Sequence, residues 1–162
     1  MAYLLDSNVF IEGKQRYYGM DFCPGFWDWL VVSNAAGHIF SIEKVGDELA
    51  ARDDELSEWA AARGRGFFLP VGPEMLDALR RVSGWVTAQT YEPAAVTTFL
   101  QAADYYLIGQ ALALGSIVVT HEVSSDSLKK VKIPDVCIGL GVRCVSPFEA
   151  LRTMRARFDL RP

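Results

Sequence analysis

Along this 162-residue chain, short apolar runs alternate with longer segments whose apolar residues recur every three or four positions. The runs at 2–6, 38–40, 67–70, 116–120 and 142–145 have the length and the β-branched or aromatic content of buried strands. Between them the period changes. A short helix is expected after the first run, then an aromatic loop, "RYYGMDFCPG", with turn signals at Gly19 and Pro24-Gly25. Pro24 opens a helix to Asn34 that carries Phe26, Trp27, Leu30 and Val31, and Ser41 reads as the N-cap of "IEKVGDELAA", with Glu43 in its first turn. The polar stretch "RDDELSEWAAARG" reads as more of the same helix, stopping at Gly64.

Pro73 leads into a helix where Met75, Leu76, Leu79, Val82 and Val86 fall near helical spacing, and Pro93 begins another. "ADYYLIGQALALG" then ends on a plausible left-handed cap at Gly115. Pro134 opens a short helix, and "PFEALRTMRARF" forms the last. Strands alternating with helices predict an α/β fold with a short, mainly parallel sheet covered on both faces. No repeat, low-complexity tract or linker divides residues 1–162, so one domain is expected.

Composition narrows the class. Hydrophobic residues are 51% and charged residues 22%, ordinary for a globular domain, and no apolar segment approaches the ~18 residues of a membrane span. No basic leader precedes Asp6, so a signal peptide is not expected. Cys23, Cys137 and Cys144 are odd in number without a Cys-x-x-Cys, and His38 and His121 are the only histidines. Buried free thiols and a cytoplasmic setting are therefore expected, not a zinc site or a disulfide framework. The net charge of −4 is uneven: residues 1–128 hold 8 Lys+Arg against 17 Asp+Glu, and residues 129–162 hold 8 against 3. The basic segment, with Lys129, Lys130 and Lys132, reads as a phosphate or partner contact or simply as a solvated face. The acidic whole argues against a constitutive, high-affinity nucleic-acid binder.

The placement of certain acids changes the picture. Two apolar runs stop on carboxylates: "AYLLDSN" at Asp6 and "SIVVTHE" at Glu122. Each alone has a bland explanation. Asp6 can cap the next helix, Asp104 suits a helix start, and Asp47 and Glu48 can face solvent on a charged helix. In a parallel sheet, however, the carboxyl ends of strands are where sites form. Two carboxylates ~5 Å apart cost about 3 kcal/mol at an effective dielectric of ~20, and a hard divalent cation relieves that cost. Val45 and Leu49 mark the apolar side of the acidic helix and favour Glu48 over Asp47 as its inward acid, although Glu43 and Asp47 form a rival pair four residues apart.

These motifs together resemble the PIN-domain ribonuclease superfamily. "YLLDSNVFIE" is similar to its opening, "VGDEL" to its second acidic motif, and "ADYYLIGQALALGSIVVTHE" to its third and fourth. "RYYGMDFCPGFWDWL", "SIEKVGDEL", "VVTHE" and "KIPDVC" resemble a bacterial PIN-like family related to VapC toxins. The resemblance implies a PIN-like three-layer α/β/α fold and a Mg²⁺- or Mn²⁺-dependent endoribonuclease, the toxin of a toxin–antitoxin pair. It implies Asp6, Glu48, Asp104 and Glu122 as catalytic metal ligands, with RNA as substrate, an antitoxin as partner and a homodimer. At the fourth place VapC-like proteins more often carry Asp, so a water-mediated role for Glu122 stays open.

Asn8 and Thr120 read as supports: Asn8 orients Asp6 or a water, and Thr120 hydrogen-bonds an acid or a phosphate. Neighbours on extended chain point to opposite faces, which favours Glu122 over His121 in the site. Arg16, Tyr17, Tyr18, Lys129 and Lys130 are candidate RNA or partner contacts. Core packing is the expected role of Trp27 and Trp29. Two other readings stand beside the nuclease: a non-catalytic interaction module on the same fold, and a haloacid-dehalogenase-like phosphatase. The phosphatase would need a second Asp where the chain has Asn8.

Overall fold

Among residues 1–160, which the computed structural model describes, five strands form one parallel sheet. They are β1 (Tyr3–Leu5), β2 (Ile39–Ile42), β3 (Phe68–Leu69), β4 (Ile117–Val119) and β5 (Cys144–Val145). Their order across the sheet is β3-β2-β1-β4-β5. The chain winds outward from β1 to β3, then returns to build β4 and β5 on the other side. Loops leaving β1 and β4 therefore diverge, and a crevice opens at their carboxyl ends, the switch point of a doubly wound sheet.

Register fixes that crevice. Tyr3, Leu4 and Leu5 pair with Ile117, Val118 and Val119, and all six are buried. Both strands are apolar throughout because helices cover both faces. A small cavity lined by Tyr3, Leu5 and Val119 separates the sheet from α2 (Pro24–Ala35) and α9 (Pro147–Thr153). The alternate residues Leu4 and Val118 face the other way, where α7 (Ala103–Leu114) packs on the sheet and under α5 (Leu76–Ala88) and α8 (Ile133–Leu140). The three layers are thus α/β/α. No helix among the described residues is long and apolar enough to cross a membrane.

Several local expectations change. Ser41 is no helix cap: it lies inside β2, where its N–H pairs with the Phe67 carbonyl (2.9 Å) and its hydroxyl donates to the Leu5 carbonyl (2.6 Å). Sheet pairing outcompetes capping, so α3 (Glu43–Ala50) starts after an extended Ile42. Nor does the acidic helix run on to Gly64. Asp54 accepts from Ser57 N–H (3.0 Å) and donates its own N–H to Ser57 Oγ (3.1 Å), starting a separate α4 (Glu55–Ala61). The loop expected from Arg16 begins later, because α1 (Ser7–Glu12) continues as π-helix over Gly13–Tyr17. Val31 and Leu76 are exposed instead of core-facing, while Gly115 does take the left-handed cap, at φ 67°. All three cysteines are free thiols, Cys137 buried and Cys23 and Cys144 partly so.

Candidate active site

Asp6 is the first residue beyond β1 and is only 3% exposed. Its N–H donates to the Val119 carbonyl (2.9 Å), which ties the end of β1 to the end of β4. Its Oδ1 accepts from Ser7 N–H (2.8 Å) and its Oδ2 from the Thr120 hydroxyl (2.8 Å). The Thr120 oxygen also accepts from Asn8 Nδ2 (3.2 Å) and Glu122 N–H (3.1 Å). Those two partners are obligatory donors, so both hydroxyl lone pairs are used and its proton has to point at Asp6. Asn8 is fixed as firmly, since its Oδ1 accepts from the His121 backbone N–H (3.1 Å). Thr120 is thus saturated, and its expected contact is with the acid.

The electrostatics join Asp6 to Asp104 and Glu122, and through Asp104 to Glu48. Burial, the charge of Asp104 and the charge of Glu122 push the Asp6 carboxyl up to about 7, against the hydrogen bonds from Thr120 and Ser7. Asp104 lies in the first turn of α7. It is pushed up to about 6 by burial, then by Glu122 and Glu48, and Lys130 opposes the shift. The acids from β1, α3, α7 and the end of β4 therefore share one field. Glu48 itself is on the exposed side of α3. Glu122 is more engaged than its sequence position implies: its Oε2 accepts from Ile133 N–H (3.0 Å) at the start of α8, and Lys130 Nζ is 3.6 Å from Oε1.

Among the described residues no three or more His, Cys, Asp or Glu side chains form a ready-made metal group. The donor chemistry nonetheless fits a hard ion. Mg²⁺ commonly binds through one or two carboxylates while keeping several waters, and Asp6 and Asp104 are two mutually repelling carboxyls without a cation of their own beyond Lys130. Residues 3–158 match a family described as a domain of unknown function, DUF4411. The chain belongs to that family. No curated protein and no solved structure matches it.

The remaining candidates of this DUF4411 chain divide by environment. His121 turns away from the acids, stacking on Tyr17 (centroids 5.3 Å apart, 21°) and meeting Phe148 edge-on (5.6 Å). Burial holds its imidazole below the ordinary histidine range, against the charge of Glu12. Tyr18 stacks on Phe26 at 4.2 Å and accepts the Trp27 indole N–H on its carbonyl (2.7 Å), so it serves the core. Tyr17 is the exposed member of the pair, at 42%. Trp27 is buried and Trp29 packs against the core cluster. Arg16 is a surface residue paired with Glu12 (3.2 Å). Lys129 and Lys130 line a cleft that ends on Asp104. Sequence reasoning missed the Lys130–Glu122 pair and the role of Ile133 N–H, whose only signal is the distant "KIPD" helix start.

Proposed function

We propose that this DUF4411 chain is a divalent-metal-dependent endoribonuclease of the PIN type. The observation that carries the reading is the pair Asp6 and Asp104. They come from different elements at the switch point and are largely withdrawn from water; Asp104 raises the proton affinity of Asp6, and the charge of Glu122 raises that of both. Burying two like charges works against folding unless a cation meets them. Asp6 and Asp104 would hold Mg²⁺ or Mn²⁺, with Glu122 and Glu48 adding negative potential or water-mediated contacts. When bound, such an ion supplies charge stabilisation at a phosphoryl oxygen and a more acidic water.

The chain's own groups do the rest. Thr120 holds Asp6 Oδ2 in place, and Asn8 holds Thr120 and the His121 backbone. Glu122, anchored by Ile133 N–H, stands beside the acids as a proton acceptor for an attacking water. Asn8 is a neutral amide, held by Thr120 and the His121 N–H, with no acidic proton to deliver to a leaving group, which weighs against the phosphatase reading. RNA as the substrate, an antitoxin partner and a homodimer rest on the resemblance to VapC-like proteins.

Defined RNAs incubated with Mn²⁺ test the proposal, beside Asp6→Asn and isothermal titration with Mn²⁺. Cleavage and metal binding that both disappear in the variant are expected. Undiminished cleavage by Asp6→Asn would overturn the shared site, and wild-type protein with no affinity for either ion would leave the interaction-module reading in its place.

A further inference from the structure

Beside the acids lies a cleft of about 300 Å³ between α6 (Pro93–Gln101) and residues 129–131, ending on Asp104. Its residues sort by burial into two kinds. Ala95, Phe99 and Val131 are buried and form an apolar floor, while Thr98, Lys129 and Lys130 are exposed and form the rim. The Glu92 N–H donates to the Leu128 carbonyl (2.9 Å), pinning the lysine segment to the start of α6. The cleft is therefore a feature of the fold, framed by two anchored elements.

We propose that this cleft is a subsite for one nucleotide of single-stranded RNA, its base on the apolar floor and its phosphate against Lys129. The choice of occupant rests on the ribonuclease reading, and three features of the cleft narrow it. Its volume lies at the small end for ligand pockets (~300–1,000 Å³), enough for one base but not for a stacked run. A base reaches such a floor only when unpaired, which excludes a duplex. The two lysines stand beside a strongly acidic site, where a phosphodiester chain needs local positive charge to approach.

The lysines are not equivalent. Lys130 is shared with Glu122 at 3.6 Å. Among the described residues no carboxylate pairs with the Lys129 ammonium, which leaves it for a phosphate.

Fluorescence polarisation of a short labelled single-stranded RNA, with a chelator present to prevent cleavage, tests this across a salt series. Lys129→Ala should weaken binding and flatten the slope of log affinity against log salt by about 0.7, the share of one phosphate contact on a single strand. Thr98→Phe, at an exposed position, should fill the cleft and lower affinity about tenfold, the scale of one lost base contact, with an unchanged melting temperature. Wild-type slope in Lys129→Ala together with wild-type affinity in Thr98→Phe would overturn the subsite. So would wild-type protein that binds no RNA, a result that leaves the cleft to an acidic peptide. RNA that binds with these variant effects but is never cut with Mn²⁺ would sink the nuclease reading and leave the subsite standing.

Discussion

Two aspartates of this chain cap helices, and their environments are opposite. Asp54 accepts from Ser57 N–H at the start of α4, and the Lys14 ammonium (3.0 Å), the capping N–H and Arg52 (3.0 Å) hold its carboxyl down to about 2. Asp6 accepts from Ser7 N–H at the start of α1, and burial among other acids pushes its carboxyl up to about 7. In both, a side-chain oxygen satisfies a free N–H at a helix start, that of the third residue for Asp54 and that of the first for Asp6. What differs is whether the tertiary fold surrounds the carboxylate with cations or with carboxylates. The first arrangement stabilises the native state. The second weakens it, a cost that a binding or catalytic site explains and a cap alone does not.

The largest separation between the two should be in activity. Asp6→Asn and Asp104→Asn are expected to reduce RNA cleavage by ~100-fold or more, the scale of losing a charged group at a reacting centre, while raising the melting temperature of the chelated protein. A lowered melting temperature in Asp6→Asn would make it a cap like Asp54 and erase the contrast.

The pH dependence of stability should also have opposite signs. Asp6 and Asp104 bind protons more tightly folded than unfolded. Their contribution is fully present below about pH 4 and is lost as pH rises through about 6 and 7. For the pair this amounts to a few kcal/mol, in order of magnitude. Denaturant titrations of chelated wild type and Asp6→Asn between pH 4 and 8 check it, the variant giving the flatter profile. Parallel profiles would mean that Asp6 ionises normally.

Thr120→Val should cost about 1–3 kcal/mol, because Asn8 Nδ2 and Glu122 N–H lose an acceptor and Asp6 Oδ2 loses a donor. Thr120→Ser should recover most of that stability and the activity with it. A Val variant with the wild-type unfolding midpoint beside a destabilised Ser variant would show that the methyl group, not the hydroxyl, matters.

The smallest effect is expected at Asp54. Asp54→Asn should lower stability modestly and leave cleavage unchanged. The deficit is full above about pH 4 and vanishes as pH falls through about 2, where the wild-type carboxylate is protonated too. Melting curves at neutral and strongly acid pH read it directly, and a cleavage defect in this variant would break the division between cap and site.

Much of the architecture was legible in the order of residues. Apolar runs marked β1 and β4, proline marked several helix starts, and Gly115 marked a helix end, because each acts through its own backbone or immediate neighbours. Ser41 and Asp54 misled for a matching reason. A serine before a helical pattern is a good cap until a neighbouring strand claims its N–H, and Asp54 restarts a helix that charge pattern alone would continue. Of the candidate site, Asp6, Asn8, Thr120 and Asp104 were visible as residue types at strand and helix ends. Glu48 over Asp47 rested on helical geometry, and the charge of Glu48 does reach Asp104.

By itself the sequence determined which segments are strands and which acids terminate them, since periodicity and capping depend on residues a few positions apart. Only the tertiary structure decided that β1 and β4 lie side by side, bringing Asp6 against Thr120 across 114 positions. The same assembly gave Glu122 its anchor on Ile133 and turned His121 toward Tyr17. It also made one capping aspartate strongly acidic and left the other titrating near neutral pH, because a carboxylate's ionisation follows the charges and water around it, and neither is written in its flanking residues.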